Sequence, residues 1–335
     1  MAIREEQNRG GADTLLEIQN LHVKFTTERA TGYALNGVNL KIRQGESLGL
    51  VGESGAGKTT TALSVLRLLS KAGKITDGQI RFHGKDVMKM SKRELLDMRG
   101  RRIAMIFQNP LSSLNPVFTV GEQISMVLRH HLKMSPKQAD ARTRELLESV
   151  GIPGYRINDY PSQFSGGMRQ RVGIAAGIAC NPELLIADEP TTALDVTIQA
   201  QILELMKVLQ TKHKSSLLMI THNLGIISEL CENVAVMYAG RIIEYGTVRE
   251  VFANPCHPYT KGLLGALPSL DNTKTRLTAI PGTVANAQHL PTGCAFHPRC
   301  EHCMEQCSQN APGMICINQD HYVACTLYGE GQKHE

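Results

Sequence analysis

The N-terminal part of the chain combines an alternating pattern with a glycine-rich interruption. Apolar and polar positions alternate over 16–25 and 38–42, which is typical of half-buried β-strands, and 47–51 is a short apolar strand. A glycine-rich loop follows, and leucines then recur on one face of a helix predicted from residue 58 to about 70. The chain is therefore expected to begin with three strands and to enter its first helix from the loop.

A helical stretch separates this region from a second run of strands and helices. An apolar strand is predicted over 103–107, and the residues after it favour two helices, over about 120–131 and 136–150. Ser135, Pro136 and Gln138 form the pattern of an N-cap with a capping box. Alternation then resumes, with helices predicted over 166–179, 196–212 and 224–231, and strands over 184–187, 217–220 and 234–238.

This order of elements predicts the fold class. Alternating strands and helices indicate an α/β domain with a mainly parallel sheet covered by helices on both faces. We assign this domain to residues 15–252, with a helical insert over about 109–170, and we expect 1–14 to form a flexible N-terminus. Prolines become frequent after residue 252, so 253–335 is predicted to be a C-terminal extension.

The composition is that of a globular protein, with 42% apolar and 20% charged residues, and 335 residues suffice for about two domains. The formal net charge of +5 permits an anionic ligand without demanding nucleic acid, and aromatic residues are scarce, with no Trp. No apolar run approaches the length of a membrane span, and residues 1–13 lack a signal-peptide core. We therefore expect a chain that stays in the cytoplasm and meets a membrane only through a partner.

A phosphate-binding motif occupies the loop before the first helix. Gly52-Glu53-Ser54-Gly55-Ala56-Gly57-Lys58-Thr59 fits the pattern GxxxxGK[ST], and it follows a strand and opens a helix, as this motif requires. The glycines let peptide N–H groups wrap around phosphates, and the helix N-terminus adds positive potential. Lys58 is expected to reach the β- and γ-phosphates, and Thr59 to bind Mg²⁺.

Two further motifs are weak evidence for a nucleotide site when each is taken alone. They become stronger evidence because a phosphate-binding loop precedes them in the chain. The strand over 184–187 ends in Asp188 and Glu189. Asp188 suits the Mg²⁺ shell, and Glu189 is placed to act as the base for an attacking water. Ser165-Gly166-Gly167 opens a helix with a hydroxyl and two glycines, so it is either a second anion-binding device or an ordinary capped helix.

Six features in this order resemble the ATP-binding cassette (ABC) ATPases: the phosphate-binding loop, Gln108 after a strand, Ser165-Gly166-Gly167, the Asp188-Glu189 strand, Ala193-Leu194-Asp195 and His222. The resemblance covers 15–252 and implies a mainly parallel sheet with an antiparallel β subdomain and a helical insert. It also implies a head-to-tail dimer, with ATP between the phosphate-binding loop of one subunit and Ser165 to Gly167 of the other. The family usually has Leu before Ser-Gly-Gly, whereas this chain has Phe164, which is expected to pack in the same way.

The resemblance also implies roles for matching residues. Gln108 would contact Mg²⁺ and the attacking water, Asp195 would lie across the dimer interface, and His222 would contact the γ-phosphate and order Glu189. With Glu189 and His222 both present, this subunit's own site is expected to hydrolyse ATP, whereas the activity of a partner's site stays open. The residues expected to bind ATP are Gly52, Ser54, Gly55, Ala56, Gly57, Lys58, Thr59, Thr60, Gln108, Ser165, Gly166, Gly167, Asp188 and Asp195, with Thr59, Gln108 and Asp188 around Mg²⁺.

The adenine requires an apolar platform ahead of the phosphate-binding loop. The family's aromatic position is matched best by Phe25, at the end of the first strand, with Tyr33 as the second candidate. Aromatic residues in strands are usually packed in the core, so packing is the ordinary alternative for both side chains.

The C-terminal part resembles one subfamily, the oligopeptide/dipeptide-type importer ATPases. The resemblance rests on His257-Pro258-Tyr259-Thr260, on 109–116 with its two Asn-Pro pairs, and on the cysteine-bearing segment 293–325. It implies import of di- or oligopeptides, with nickel or another small solute as the alternative. The implied partners are a second, homologous ATPase in a heterodimer, two permeases and, indirectly, an extracytoplasmic solute-binding protein, which places the chain at the cytoplasmic face of the cell membrane.

Six of the nine cysteines lie in the last 42 residues, and in a reducing cytosol such a cluster indicates a metal site rather than disulfides. The resemblance to dipeptide-type relatives implies a [4Fe–4S] cluster on Cys294, Cys300, Cys307 and Cys325. Four thiolates suit tetrahedral zinc equally well on chemistry alone, so zinc is the alternative, and the parts played by Cys303 and Cys316 stay open.

A soluble ABC ATPase that acts on nucleic acid, with the cysteines as a zinc module, is the alternative of another class. The acidic tail, with a net charge of −3 from residue 293 onward, argues against it. Translation-associated ABC proteins normally carry two cassettes, whereas this chain has one phosphate-binding loop. We therefore predict an ATPase coupled to transmembrane transport, with no nucleic-acid partner.

Overall fold

The computed structural model describes residues 14–28, 30–108, 114–192, 194–266 and 280–329. The N-terminus predicted to be flexible lies outside these residues except for Thr14, which is the first residue of a strand. Residues 109–113 of the Asn-Pro segment and Ala193 also lie outside the described residues.

The described residues form twelve strands and ten α-helices. The strands are β1 (Thr14–Thr26), β2 (Thr31–Arg43), β3 (Ser47–Val51), β4 (Gly73–Phe82), β5 (Lys85–Asp86), β6 (Ile103–Ile106), β7 (Leu184–Asp188), β8 (Ser216–Thr221), β9 (Asn233–Tyr238), β10 (Arg241–Thr247), β11 (Ile315–Asn318) and β12 (His321–Val323). The helices are α1 (Lys58–Val65), α2 (Lys92–Asp97), α3 (Val120–Leu132), α4 (Pro136–Ser149), α5 (Gly166–Ile178), α6 (Val196–His213), α7 (Leu224–Leu230), α8 (Val248–Ala253), α9 (Pro258–Gly265) and α10 (Glu305–Gln309).

The chain divides into two compact units. The insert unit comprises residues 14–15, 42–47 and 89–220, and it contains the helical stretch predicted from the sequence. The P-loop unit comprises residues 16–41, 48–88 and the described residues from 221 onward, and it contains the phosphate-binding loop and the cysteine-bearing segment.

Three parallel strands of the insert unit carry the candidate carboxylates. β6, β7 and β8 pair in parallel, with Ile106 opposite Ala187 and Asp188 opposite Ile220. Every residue of β7 and β8 is buried, as expected of strands covered on both faces. The carboxyl ends of β6 and β7 lie side by side, so the residues that follow these two strands can meet.

Helices α3 and α4 of the insert unit pack against each other, and each begins at a capping box. Ser135 accepts a hydrogen bond from the N–H of Gln138, whose side chain accepts one from the N–H of Ser135, which confirms the predicted cap. Thr119 and Glu122 form an equivalent box before α3 that the sequence analysis did not identify. The limits of the helical insert, near 109 and 170, stay a prediction.

The P-loop unit contains an antiparallel sheet and a strand arrangement of mixed direction. The antiparallel sheet has the order β2-β1-β4-β5, and its β1–β4 and β4–β5 pairs are antiparallel. β3 pairs in parallel with β9, and β10, β12 and β11 follow β9 in antiparallel pairs. The implied antiparallel subdomain is confirmed, although the sequence analysis did not predict β4 and β5.

The first helix is shorter than predicted. α1 ends at Val65, with Leu66 as its C-cap, instead of continuing to about residue 70. Arg67 has a φ of 51°, and this left-handed conformation cannot continue a right-handed helix. The prediction of a longer helix was wrong because leucine spacing alone does not show where the backbone turns.

The last described residues join the P-loop unit through strand pairing. In the β10–β12 pair, Glu244 lies opposite Val323, and Val323 packs with Cys256 and Cys325. The predicted domain boundary near residue 253 falls where α8 ends at Ala253, and it stays a prediction.

Candidate functional site

The phosphate-binding loop connects β3 to α1, and its shape depends on glycine. Gly57 has a φ of 107°, and a Cβ at this position would lie 2.7 Å from the carbonyl oxygen of Ala34. Gly52 has a φ of 155°, and a Cβ there would collide with the carbonyl oxygen of Met237. Both positions combine a conformation that favours glycine with a close approach of another segment, so the loop tolerates no side chain at either.

Lys58 lies under this loop. Its side chain is buried, and Nζ donates hydrogen bonds to the carbonyl oxygens of Gly52 at 2.7 Å and Glu53 at 3.0 Å. Ser54, Gly55 and Thr59 are exposed, so the outer rim of the loop is accessible to a ligand. The ammonium group and the N-terminus of α1 together give the loop the positive potential that phosphate requires.

The residues after β6 and β7 meet at the edge of the parallel strands. Gln108 donates from Nε2 to Oε2 of Glu189 at 2.7 Å, and Thr192 donates from its hydroxyl to the same oxygen at 3.0 Å. Glu189 has a φ of 45°, and its N–H donates to the carbonyl oxygen of Ile220 at 2.8 Å. Asp188, one residue earlier, is buried at the end of β7. A strained backbone and two donors thus hold the Glu189 carboxylate in one orientation.

Ser165-Gly166-Gly167 begins α5 at the surface of the insert unit. The Ser165 hydroxyl caps the helix by accepting from the N–H of Met168 at 3.3 Å, and Ser165 and Gly166 are both exposed. A Cβ at Gly167 would lie 2.6 Å from Cγ2 of Ile198, so glycine is needed for α5 and α6 to approach each other. Phe164 is buried, as expected for the residue that replaces the usual leucine.

Asp195 and His222 lie at the starts of two other segments. Asp195 is the N-cap of α6, where its carboxylate accepts from the N–H of Ile198 at 2.9 Å, and it is exposed. His222 follows directly after β8 and is exposed. Both residues are accessible, as their implied roles require.

The two adenine candidates differ in environment. Phe25 lies on β1 and is half-buried, and its ring lies so close to Gly73 that a Cβ there would be 2.7 Å from Cε1. Tyr33 lies on β2 with 50% of its surface exposed, and its N–H donates to the carbonyl oxygen of Ala287 at 2.8 Å. Both side chains are thus partly accessible.

The four cysteines of the implied cluster share one cavity in the P-loop unit. Cys294, Cys300, Cys307 and Cys325 all line this small cavity. A hydrogen bond from the Cys294 N–H to the carbonyl oxygen of Cys307 at 2.8 Å joins two of the segments that carry them. The chain therefore brings together four thiols that are widely separated in sequence.

The surroundings of these thiols suit a bound metal. Burial raises the pKa of Cys294, Cys300 and Cys325, in the last case to about 11, which favours the protonated thiols. Each of these sulfurs also accepts a peptide N–H from the residue two positions later, which lowers the pKa and stabilises a thiolate. A metal would supply the remaining positive charge, since metal binding deprotonates thiols.

Cys303 and Cys316 lie outside this cavity lining. Both are exposed, and Cys316 lies on β11, where its Sγ contacts the carbonyl oxygen of Asn318 at 3.0 Å. His297 and His302 line the cavity, whereas His321 lies elsewhere.

His321 belongs to a buried polar cluster with Glu244 and Cys256. Its Nε2 lies 2.7 Å from Oε1 of Glu244, and the carboxylate also accepts the N–H groups of Cys256 and His257. Burial lowers the pKa of His321, but hydrogen bonds with Cys256 and Glu244 outweigh it and raise the pKa to about 9. The three ligand-type atoms lie within 4.8 Å of one another, but the carboxylate is already satisfied, so the cluster ties β10 to β12 as a structural ion pair.

Two side chains that were not predicted from the sequence hold the phosphate-binding loop from outside. Arg299 donates two hydrogen bonds to the carboxylate of Glu53, and the Tyr259 hydroxyl accepts the N–H of Glu53. An Arg and a Tyr more than two hundred residues from the loop give no local pattern that could have identified these contacts.

Within the part of the chain that the structure describes, no helix is long and apolar enough to cross a membrane.

Two family models match the chain. The ABC transporter family matches residues 35–192, and the C-terminal region of oligopeptide/dipeptide transporters matches residues 243–307. The dipeptide transport ATP-binding protein DppD of Bacillus subtilis is 47% identical over 325 residues, which cover 96% of this chain and 97% of the relative. The chain belongs to the ATP-binding subunits of oligopeptide/dipeptide ABC transporters. It is therefore an ABC ATPase, as its motifs predicted.

Further members of this family and two solved structures are also similar to the chain. The oligopeptide transport ATP-binding protein OppD of Bacillus subtilis is 49% identical over 93% of this chain and 88% of its own, and OppD of Salmonella typhimurium is 46% identical over 94% of each. A dimeric post-hydrolysis state of the ATP-binding cassette MJ0796 bound to ADP and Pi has a TM-score of 0.64 at 28% identity, covering 70% of this chain and 99% of that one. The cbiO1 subunit of the cbiONQ ABC transporter complex from Clostridium perfringens has a TM-score of 0.62 at 28% identity, covering 72% and 92%. The predicted fold class is confirmed.

The two family models cover most of the candidate residues. The ABC transporter match includes the phosphate-binding loop, Gln108 and the Asp188-Glu189 pair, but it ends before Asp195 and His222. The C-terminal match includes Cys294, Cys300 and Cys307 and ends before Cys325.

Proposed function

We propose that this subunit hydrolyses ATP to energise the import of di- or oligopeptides across the cytoplasmic membrane. The observation that carries the proposal is the joint match of the cassette and of the C-terminal region to ATP-binding proteins of peptide transport over nearly the whole chain. Nickel or another small solute is the alternative cargo, because an ATPase subunit does not itself contact the solute.

The proposed catalytic roles follow from the local geometry. The phosphate-binding loop and Lys58 bind the ATP phosphates, Thr59, Asp188 and Gln108 bind Mg²⁺, and Glu189 accepts a proton from the attacking water. The hydrogen bond from Gln108 to Glu189 supports this assignment, because it orients the base and links it to the residue proposed to contact the same water.

ATP hydrolysis would require a second ATPase. We assign Ser165, Gly166 and Asp195 to the surface that meets the partner's ATP, and His222 to the γ-phosphate. The exposure of these residues and the similarity to a dimeric cassette support a head-to-tail arrangement. The partner is a homologous subunit, and the pair binds two permeases at the cytoplasmic face of the membrane. An extracytoplasmic solute-binding protein delivers the cargo to the opposite face of these permeases.

Substitution of the proposed base tests the mechanism. Glu189→Gln keeps an oxygen that can accept the hydrogen bonds of Gln108 and Thr192, but the amide cannot take a proton from water. ATP should therefore bind with unchanged affinity, while turnover falls by at least about 100-fold. Glu204→Gln, an exposed change on α6 of the same unit, is the matched control. Near-normal turnover by Glu189→Gln would refute the assigned base.

The adenine platform is assigned to Phe25, with Tyr33 as the alternative. Both side chains are partly accessible, and Phe25 matches the family's aromatic position. Phe25→Ala should weaken ATP binding more than Tyr33→Ala, and the reverse order would move the assignment to Tyr33.

The cysteine-lined cavity is the proposed site of a [4Fe–4S] cluster, with zinc as the alternative. Four thiols around one cavity and peptide N–H groups directed at three of the sulfurs suit such a group. His257 adds to the fit, because it lines the cavity and its buried Nε2 has no hydrogen-bond partner among the described residues. Its Nδ1 accepts the N–H of Tyr259, so Nε2 carries the proton and can donate to a cluster sulfur. When bound, the group would cross-link the four cysteine segments.

Metal analysis distinguishes the candidates. If the site holds an iron–sulfur cluster, purified protein should contain about four iron and four sulfide per chain and absorb visible light. If the site holds zinc, the protein should contain about one zinc per chain and show no visible absorption. Cys300→Ser should lose the metal, whereas Cys303→Ser, which changes an exposed cysteine outside the cavity, should retain it. Loss of metal in both variants would contradict the four-cysteine ligand set.

An affinity purification from detergent-solubilised membranes tests the transport assignment. Two permeases and a second ATPase should copurify with this chain. Recovery of only soluble partners or nucleic acid would overturn it and favour the nucleic-acid alternative.

A further inference from the structure

The second residue of the phosphate-binding loop is held from the C-terminal extension. Glu53 receives two hydrogen bonds from Arg299, at 2.7 Å to Oε2 and 3.1 Å to Oε1. Its N–H donates to the hydroxyl of Tyr259 at 2.8 Å. The side chain and the N–H of Glu53 are therefore held by residues of the extension, while its carbonyl oxygen accepts from Lys58 of the loop.

These contacts are desolvated and geometrically specific. The Arg299 side chain is 5% exposed, and that of Glu53 is 25% exposed. Two further guanidinium N–H groups donate to the carbonyl oxygen of Pro281 at 2.9 Å and to the hydroxyl of Tyr238 at 3.3 Å. A planar guanidinium that donates these four hydrogen bonds fixes position as well as charge, which lysine cannot reproduce.

Arg299 and Tyr259 do not line the cysteine-lined cavity themselves, but both contact residues that do. Arg299 immediately precedes Cys300, and its N–H donates to the carbonyl oxygen of Phe296, which lines the cavity, at 2.9 Å. The Phe296 ring lies 5.4 Å from the Tyr259 ring and 5.3 Å from the Tyr238 ring. One packed group therefore contacts the proposed metal site on one side and Glu53 on the other.

We propose that Arg299 and Tyr259 are positioning residues for the nucleotide, and that they couple occupancy of the cysteine site to the affinity of the phosphate-binding loop for ATP. Arg299 holds Glu53, and Glu53 belongs to the loop whose peptide groups bind phosphate. Cys294, Cys300, Cys307 and Cys325 would hold the metal, and their binding to it would restrain the segment that carries Arg299. The inference rests on the proposed ATP and metal sites. Coupling is reciprocal, so bound ATP raises the affinity for the metal by the same factor.

The affinity of the purified subunit for ATP, measured by calorimetry, tests the positioning role. Arg299→Gln should raise the Kd about tenfold, because the loop loses its charged anchor. Arg299→Lys should restore only part of the affinity, because an ammonium group cannot bind both carboxylate oxygens in this geometry. Arg102→Gln is the matched control, since Arg102 makes a comparable bidentate pair with Glu183 in the insert unit, and its Kd should match that of the unchanged protein.

A double-variant cycle separates positioning from a general loss of structure. Glu53→Gln should raise the Kd about as much as Arg299→Gln, and the double variant should be no worse than either single one, because both remove the same contact. An unchanged Kd for Arg299→Gln, or two effects that multiply in the double variant, would overturn the proposal. Tyr259→Phe should raise the Kd by a smaller factor, about threefold, since one neutral hydrogen bond is lost.

The coupling to the cysteine site is tested with Cys300→Ser. In the otherwise unchanged chain, this loss of metal should raise the Kd for ATP severalfold, whereas in the Arg299→Gln background it should add less than about twofold. An equal effect in both backgrounds would overturn the coupling. If the purified chain holds neither iron nor zinc, the metal assignment fails by itself and the coupling with it, while the positioning role of Arg299 is still decided by the Kd of Arg299→Gln.

Discussion

The helices α1 and α5 both begin beside glycines, and their N-termini are made accessible to a ligand in different ways. The N-cap of α1 is Gly57, whose backbone has a φ of 107° and which offers no side-chain cap, so the first N–H groups of the helix face the phosphate-binding loop. The N-cap of α5 is Ser165, whose hydroxyl caps the helix in an ordinary extended conformation. The first terminus depends on backbone shape, whereas the second depends on one side chain at the surface.

This difference indicates what completes each site. The loop before α1 wraps around its own lysine and is held by neighbouring segments, so it can bind phosphate within one subunit. The start of α5 presents Ser165 and Gly166 outward, where a ligand held by another subunit can reach them. Substitutions at the two starts should therefore change different measurements.

The largest effect is expected at Gly57. Gly57→Ala forces a Cβ to within 2.7 Å of the carbonyl oxygen of Ala34 in a conformation that favours glycine. We expect the free energy of unfolding to fall by about 2–4 kcal/mol and the Kd for ATP of the single subunit to rise by at least about 100-fold. Denaturant unfolding and calorimetry measure the two quantities, and an unchanged Kd would contradict a loop set by backbone shape.

A smaller effect of another kind is expected at Ser165. Ser165→Ala removes the cap, which should cost about 1 kcal/mol of stability, and it leaves the Kd for ATP of the single subunit unchanged. ATP hydrolysis by the assembled pair should fall about tenfold, because one hydrogen bond to the partner's nucleotide is lost. Ser165→Thr keeps a hydroxyl and serves as the control. A weakened Kd in the isolated subunit would break the distinction between the two termini.

The smallest effect on the single subunit is expected at Gly166. The nearest atom to a Cβ there would be 4.0 Å away, so Gly166→Ala should fold normally and change the free energy of unfolding by no more than about 1 kcal/mol. Hydrolysis by the pair should nevertheless fall, because the methyl group would stand between the helix start and the partner's ATP. Gly173→Ala on the same helix also meets open space and should leave hydrolysis unchanged.

Local signals in the sequence were sufficient for α3 and α4, the two helices that pack against α5. Both were predicted within about two residues, and in α4 a capping box recognised in the sequence marks the start. Glu189 was assigned as the base because it follows a buried strand after a phosphate-binding loop, whereas the role of Gln108 was implied only by the resemblance to the ABC ATPases. The structure brings these two side chains into contact.

Other features could not be derived from the sequence because they depend on distant contacts. The contact between Glu53 and Arg299 joins residues 246 positions apart, and no periodicity marks such a pair. The exclusion of Cys303 and Cys316 from the cavity lining is likewise decided by the fold, since their spacing from the other cysteines suits a metal equally well. β4 and β5 were missed because they are short or largely exposed and lack a long apolar run.

The central claim is that ATP hydrolysis by this chain drives peptide import. The most direct test places the chain, its partner ATPase, the two permeases and the solute-binding protein in lipid vesicles and measures ATP hydrolysis and peptide uptake together. We predict that hydrolysis rises when a di- or oligopeptide is added, that labelled peptide accumulates inside the vesicles, and that both responses disappear with Glu189→Gln. A rate of ATP hydrolysis that does not change when peptides are added, but rises with nickel or another solute, would contradict the claim.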